Sequence, residues 1–235
     1  MVYVINKKRL IIYSLTIFVA LFILSNITRP STTASAVPTS NRIIILDPGH
    51  GGADGGASGA DGTVEKELNL QIALKVQNLL QQSGCTVFMT RSDDRSLSTI
   101  EDEINKMRKV ADLNNRREMV DELEVEAFVS IHMNTFQDSQ YFGSQVFYSS
   151  SPADSKYLAD YIQEEIRLID PENTRETKNG SGSIFILNDV SVPSVVVECG
   201  FLSNENDLAR LKSEDYQNKL AGAIYNGIVK FYSID

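Results

Sequence analysis

The sequence predicts a single α/β domain whose central sheet has about six strands, mostly parallel or mixed, with helices packed on both faces. Two observations predict this class. From Arg42 onward, apolar or β-branched runs alternate with segments that have helical periodicity. Some of the runs, such as SVVVE at residues 194–198, are apolar without interruption, which is typical of strands buried on both faces. The chain length of 235 residues suits one such domain with a short appendage.

Six runs have the composition of strands. We expect strands at residues 42–46, 86–90, 127–132, 144–148, 184–187 and 194–198. In this arrangement His132 and Glu198 are the last residues of their strands. His50 follows the first strand through the tripeptide DPG.

Helical periodicity is clearest in two segments. Apolar residues recur on one face of each, at Leu68, Ile72, Val76 and Leu79 in the first and at Tyr216, Leu220, Ile224, Ile228 and Phe231 in the last. Gly84 is expected to end the first helix soon after its stripe. Glu65 opens this helix, and Thr63 is a plausible N-cap for it. Residues 98–126 are charged and are also predicted to be helical.

The charge distribution argues against nucleic acid as a partner. The chain has 22 Lys or Arg and 31 Asp or Glu, a formal charge of -9. Residues 1–30 hold four of the basic residues and no acidic residue, so the remainder has 18 basic and 31 acidic residues, or -13. A domain this acidic repels phosphate backbones and anionic membrane surfaces.

The N-terminal segment has the layout of an export signal. The basic tripeptide KKR precedes an apolar run over residues 10–24, and a polar linker follows, with ASA at residues 34–36 as a candidate cleavage site. Basic residues before such a run predict export of everything after it. We therefore predict that residues 1–36 are a signal peptide or membrane anchor with a polar linker, and that the domain is extracytoplasmic. Cys85 and Cys199 are compatible with one disulfide or with two free thiols.

Four residues that can bind a metal ion or transfer a proton lie at or just beyond the carboxyl ends of predicted strands. Open α/β sheets bind their ligands at this edge. His50 follows the first strand, His132 and Glu198 end later strands, and Glu65 opens the first helix after a glycine-rich loop. Both histidines of the chain therefore lie at one edge, each with a carboxylate nearby. Two imidazoles and one carboxylate match the ligands of a catalytic zinc site with an open position, and a second carboxylate can act as general base.

Each of these residues also has a structural interpretation. A histidine after a strand is more often a hydrogen-bonded structural residue than a metal ligand. Glu65 could be an acid favoured by the helix dipole. The loop GHGGADGGASGADG could cradle a phosphate, although it lacks the P-loop lysine and the G-x-G-x-x-G spacing. Glu198 is harder to explain in this way, because a buried acid ending a VVV strand is costly without a partner.

Longer blocks of sequence connect these residues to a known family. The blocks are IILDPGHGGADGGASG, EKELNLQIALKV, GCTVFMTRSDD, FVSIHMN, VPSVVVECGFLSN and YQNKLAGAIYNGI. They resemble the zinc-dependent N-acetylmuramoyl-L-alanine amidases of bacterial cell-wall turnover, and the resemblance covers essentially the whole of residues 42–233. The resemblance implies a zinc amidase catalytic domain over residues 41–235, with its zinc site at the carboxyl edge of the strands.

The resemblance also assigns roles to individual residues. It places one zinc ion on His50, Glu65 and His132. It places the catalytic carboxylate on Glu198 and a substrate contact on Asn134.

Two further stretches narrow the resemblance within the family. VECGFLSN and DPENTRETKNGSGSIFIL, with one domain behind a single exported segment, resemble the spore-cortex (germination-specific) amidases of spore-forming Gram-positive bacteria. This implies cleavage of the amide between N-acetylmuramic acid and the L-alanine of the peptidoglycan stem peptide. A separate peptidoglycan deacetylase acting downstream towards muramic-δ-lactam, and a protein activator, are the protein partners to consider. Residues 95–122 match loosely, with Arg116 or Arg117 standing for an arginine of the family.

Two other classes of function compete with this interpretation. A zinc exopeptidase acting on peptides would use a similar ligand set on a similar sheet, and a basic pocket for a peptide terminus would favour it. A non-catalytic wall-binding module would be expected to have lost a ligand or the general base, and this chain keeps all four residues. Neither alternative explains the contiguous blocks.

Overall fold

The computed structural model describes residues 16–17, 38–104 and 106–233. The chain divides into two units, residues 1–36 and 37–235, and every element named below belongs to the second. The predicted signal or anchor lies outside the described residues, apart from residues 16–17. In the part of the chain that is described, no helix has the length and apolar composition needed to cross a membrane.

The centre of the domain is a sheet of six strands: β1 (Ile43–Pro48), β2 (Thr86–Met89), β3 (Ala127–Asn134), β4 (Gln145–Tyr148), β5 (Lys178–Asn179) and β6 (Ser194–Phe201). Their order across the sheet is β2-β1-β3-β6-β4-β5. The strands β2, β1, β3 and β6 run parallel, whereas β4 is antiparallel to β6 and β5 is parallel to β4. The predicted α/β class and mixed sheet are confirmed.

The helices are α1 (Glu65–Gln82), α2 (Ile100–Ile104), α3 (Arg108–Glu122), α4 (Asp154–Ile169), α5 (Glu205–Lys212) and α6 (Glu214–Phe231). The apolar stripes predicted on the first and last helices are confirmed, because both pack into the core. The helical region predicted over residues 98–126 consists of two helices, α2 and α3. Cys85 and Cys199 are both buried free thiols.

Helices cover both faces of the sheet, as predicted, but unequally. On one face α1, α4 and α6 pack against strand residues such as Val129. On the other face Val120 of α3 packs in a smaller cluster with Phe128. Side chains alternate between the two faces of a strand, so His132 and Glu198 lie on the face that α3 covers.

Residues 184–187 do not form the predicted strand. Phe185–Leu187 form one 3-10 turn instead, and Ile186 and Leu187 are buried in the cluster beneath α3. A short apolar run has no periodicity that separates a strand from a buried turn. The remaining strand of the sheet is β5, which is only two residues long and exposed.

The strands that carry the candidate residues extend further than predicted. β3 continues to Asn134, and β6 continues to Phe201. His132 and Glu198 therefore lie within their strands, near the carboxyl ends, rather than at the last residues. They are register partners on neighbouring parallel strands, and the register shifts immediately after them, between His132 and Asn134.

Candidate metal centre

His50 lies on a loop whose backbone is held by two arginines. It follows β1 and Gly49, and its φ of 61° falls in the left-handed region that few residues other than glycine adopt. Arg91 donates hydrogen bonds to the carbonyls of Pro48 and Gly49 at 2.8 and 2.9 Å. Arg116 donates from Nη2 to the carbonyl of His50 at 2.6 Å. These bonds fix the turn that presents the imidazole.

Close packing explains two of the glycines around this loop. A Cβ atom at Gly49 would lie 2.1 Å from Cε1 of His132. A Cβ atom at Gly56 would lie 2.4 Å from Oε2 of Glu65 and 2.7 Å from the ring of His50. Non-bonded heavy atoms do not approach so closely. Glycine at both positions is therefore what allows the two imidazoles and the carboxylate to converge.

Glu65 is the first residue of α1 and is only 3% exposed. The N-cap is Val64, which makes no side-chain hydrogen bond, so Thr63 is not the cap. The glycine-rich loop takes over this role with its backbone. The N–H of Glu65 donates to the carbonyl of Ala57 at 2.9 Å, which satisfies a helix-start donor that would otherwise be unpaired.

The carboxylate of Glu65 faces both histidines of the chain. Its Oε1 lies 2.9 Å from Nδ1 of His132 and 3.2 Å from Nε2 of His50. The same oxygen accepts a hydrogen bond from the N–H of Met133, and Oε2 accepts one from the N–H of Ala57. The candidate ligand atoms of the three side chains all lie within 4.8 Å of one another. The structure therefore brings together three of the predicted site residues.

Asp54 orients His50 from the opposite side. Its Oδ2 lies 2.9 Å from Nδ1 of His50, and this acceptor favours the tautomer with the proton on Nδ1 and the lone pair on Nε2. Burial alone would lower the pKa of His50, but the hydrogen bonds and charges of Glu65 and Asp54 raise it to about 9. Burial alone would raise the pKa of Glu65, but its hydrogen bonds with His132 and His50 hold it well below its usual range.

This arrangement fits a divalent cation. The lone pair on Nε2 of His50 faces a negatively charged oxygen of Glu65 at 3.2 Å, a repulsive pair unless a proton or a cation lies between them. Ligands about 2.0–2.1 Å from a tetrahedral zinc ion lie roughly 3.3 Å from one another, close to the separations of 2.9 and 3.2 Å found here. In the described part of the chain, His50, Glu65 and His132 are the only group of histidine, cysteine and acidic side chains placed so that it could hold a metal ion.

Glu198 lies beside this group without belonging to it. It is the register partner of His132 on the neighbouring strand. Its Oε2 is buried and has no hydrogen-bond partner among the described residues. Burial raises the pKa of Glu198 to about 7, while the charge of His132 opposes this rise and the charge of Glu65 adds to it. A cation held by the neighbouring residues would lower that pKa, because it favours the ionised carboxylate.

The structure separates the two arginines between which the sequence did not decide. Arg116 is 2% exposed, pairs with Asp47 at 2.5 Å and holds the carbonyl of His50. Arg117 instead places its guanidinium 5.4 Å from the centre of the Phe185 ring. Arg116 is therefore the arginine that supports the site.

Asn134 ends β3, and its Oδ1 accepts the N–H of Thr135 at 2.8 Å. Its contact with substrate stays a prediction. Sequence reasoning did not single out Asp47, Asp54 or Arg91, although all three lie in the blocks DPGHGGAD and TRSDD. The sequence signal that could have identified them is their position within the blocks that resemble the family.

Known proteins of one family match the chain over nearly all of this domain. Residues 44–230 match the family described as N-acetylmuramoyl-L-alanine amidase. The germination-specific N-acetylmuramoyl-L-alanine amidase of Bacillus subtilis (strain 168) is 37% identical over 198 residues, which cover 84% of this chain and 83% of that protein.

Solved structures give the same result. The CwlD amidase from Clostridioides difficile, determined in complex with the GerS lipoprotein, is 45% identical with a TM-score of 0.80, over 83% of this chain and 100% of that one. The catalytic domain of CwlV, an amidase from Bacillus (Paenibacillus) polymyxa, is 31% identical with a TM-score of 0.69, over 83% and 99%. In sequence, fold and the convergence of its polar residues, this chain belongs to the N-acetylmuramoyl-L-alanine amidase family.

Proposed function

We propose that this chain is a zinc-dependent hydrolase of peptidoglycan that cleaves the amide between N-acetylmuramic acid and the L-alanine of the stem peptide. One zinc ion would be held by His50, Glu65 and His132. The observation that carries the proposal is the single oxygen of Glu65 that faces a nitrogen of each imidazole, at 3.2 and 2.9 Å. Family membership supports the choice of bond, and the donor set supports the choice of metal.

Zinc bound at this site would polarise the amide carbonyl and make a water molecule more acidic. Glu198 would accept a proton from the water that attacks the carbonyl carbon. It would then deliver that proton to the nitrogen of L-alanine as the C–N bond breaks. The buried Oε2 without a protein partner supports this role, because donors that stabilise a carboxylate make it a weaker base.

The residues behind the ligands keep them in position. A carboxylate bonded to a ligating imidazole fixes its tautomer and raises its basicity, and Asp54 stands in that relation to His50. Arg91 and Arg116 hold the carbonyls of the same turn. His50 is thereby held in one orientation before the metal ion binds, which lowers the free-energy cost of binding.

We place the enzyme outside the cytoplasmic membrane, in the maturation of spore-cortex peptidoglycan. The basic residues before the apolar run at residues 10–24 support export. The name of the Bacillus subtilis relative supports the cortex role, and the complex of the Clostridioides difficile relative supports a lipoprotein as a protein partner. The product, a glycan with bare muramic acid, would pass to a deacetylase that leads towards muramic-δ-lactam.

The test incubates the purified protein with peptidoglycan and measures newly freed amino groups of L-alanine. We expect release that stops when a chelator removes the metal and resumes when zinc is added. The matched control is the His50→Ala protein, which lacks one proposed ligand and should release nothing. Release from isolated stem peptides but not from intact peptidoglycan would instead indicate an exopeptidase. No release from peptidoglycan would contradict the proposal.

A further inference from the structure

A row of polar side chains leads away from the candidate metal centre across the sheet. His132 on β3 is in register with Glu198 on β6, and Glu198 is in register with Gln145 on β4. Register partners on neighbouring strands project from the same face of a sheet. Gln145 therefore continues the row on the side of Glu198 away from His132.

Arg175 stands at the end of this row. Its Nη1 donates to Oε1 of Gln145 at 3.2 Å, and its Nε donates to the carbonyl of Phe142 at 2.7 Å. The guanidinium carbon lies 4.6 Å from the centre of the Phe201 ring, within range of a cation–π contact. Gln145 is itself fixed, because its Nε2 donates to the carbonyl of Glu176 at 2.7 Å. The guanidinium of Arg175 is thus held in one place by uncharged groups.

No carboxylate neutralises this arginine. It makes no ion pair with any described residue, and its Nη2 makes no hydrogen bond within that part of the chain. Among the acidic residues, Asp207 has the strongest electrostatic interaction with Arg175. The Oδ2 of Asp207, however, accepts the backbone N–H groups of Gly143 and Phe201, at 2.8 and 2.9 Å. The guanidinium is thus held in position without an ion pair, in a domain with an excess of acids.

Arg175 also lines an open cavity of about 420 Å³. Tyr141 and Phe142, which are 44% and 42% exposed, form apolar parts of its wall. Gln140 and Thr174 add polar groups. A concave surface with aromatic walls and one oriented charged donor is typical of a site for a small anionic ligand group.

We propose that Arg175 binds a carboxylate of the stem peptide and so selects substrates with an acidic residue close to the scissile amide. The inference rests on the proposed function, because it places the peptide along the row from Glu198 to Gln145. Neighbouring strands are about 5 Å apart, and an extended peptide advances roughly 3.3–3.6 Å per residue. The second stem residue after the cleaved bond is thus within reach of the guanidinium.

The test compares two muropeptides that differ only at the second stem residue, which carries either a free α-carboxylate or the neutral carboxamide. A charge-assisted hydrogen bond from arginine should give the wild-type protein a preference of about tenfold or more in kcat/KM for the free acid, mainly through KM. Arg175→Gln should cleave the free acid as poorly as the wild-type protein cleaves the amide. The rate of Arg175→Gln on the carboxamide substrate should stay nearly unchanged.

Two further variants sharpen the result. Lys178→Gln removes one exposed positive charge from β5 at the same edge of the sheet, and it should keep the full preference. Arg175→Lys keeps the charge but not the fork of donors, and it should keep part of the preference even if Arg175→Gln folds poorly. An equal rate of the wild-type protein on both substrates, or an undiminished preference in Arg175→Gln, would overturn the inference alone. Cleavage of neither substrate by the wild-type protein would overturn the proposed function as well.

Discussion

Replacing Arg116 with methionine should destabilise the domain far more than the same change at its neighbour Arg117. The Arg116 guanidinium is 2% exposed and donates to Asp47 at 2.5 Å and to the carbonyl of His50 at 2.6 Å. Methionine fills much of the same volume but leaves the buried Asp47 carboxylate without its counter-charge. Removing one partner of a buried ion pair in this way costs about 3–5 kcal/mol.

The pH dependence of this loss separates charge burial from lost packing. In the wild-type protein, burial alone would raise the pKa of Asp47, but the charge of Arg116 and hydrogen bonds from Ser130 and Thr90 lower it to about 2. The stability from this pair is therefore present above the unfolded pKa of about 3.9 and is lost only as the pH falls towards 2. Without Arg116, burial raises the pKa of Asp47. The carboxyl group then takes up a proton more readily, and the loss shrinks as the pH falls.

Urea unfolding of the wild-type protein and both variants at pH 7 and pH 5 measures the effect. We expect Arg116→Met to lose about 3–5 kcal/mol at pH 7 and less at pH 5. Arg117→Met should lose at most about 1 kcal/mol, the value of one exposed cation–π contact. Adding Asp47→Asn to Arg116→Met should recover part of the loss, because it removes the stranded charge. Equal losses of unfolding free energy in the two single variants would refute the reasoning. So would a loss in Arg116→Met that is the same at pH 7 and pH 5.

Three further predictions concern the metal, the base and the N-terminal segment. His50→Ala and His132→Ala should each abolish the expected content of one zinc per chain, and metal analysis showing full zinc in either would remove that histidine from the site. Glu198→Gln should fold and keep zinc while amidase turnover falls about 100- to 10,000-fold; loss of zinc would make Glu198 a ligand. Fractionation of cells that express the full chain should place it outside the cytoplasm, and full-length soluble cytoplasmic protein would contradict export.

The sequence predicted the elements that have a strong pattern of their own. α1 and α6 carry long apolar stripes, and both were found. α4 was missed although Leu158, Ile162 and Ile166 recur every four residues and are fully buried, so its signal was present. β5 has two polar exposed residues and no signal. The run at residues 184–187 became a 3-10 turn because packing beneath α3, rather than local periodicity, determines its conformation.

The same distinction applies to the site. His50, His132 and Glu198 stand out in the sequence because a polar residue near the end of an apolar run is conspicuous. The residues that hold them do not stand out in this way. Arg116 lies 66 residues from the histidine whose carbonyl it binds, so no local pattern indicates the pairing. Asp54 is only four residues from the same histidine, yet its role depends on a left-handed turn that the sequence does not display.

The placement of Glu198 follows from the hydrophobic pattern of its strand rather than from any contact of its own. Val197 and Cys199 belong to the cluster beneath α1, α4 and α6, and Val196 belongs to the cluster beneath α3. This alternation turns Glu198 to the side where His132 lies, and the pairing of β3 with β6 sets the two residues opposite each other. A slip of one residue would turn the whole strand over, bury the carboxylate against three helices and expose Val197 to the metal centre. The apolar residues that stabilise the sheet thus also fix which carboxylate can act as the base.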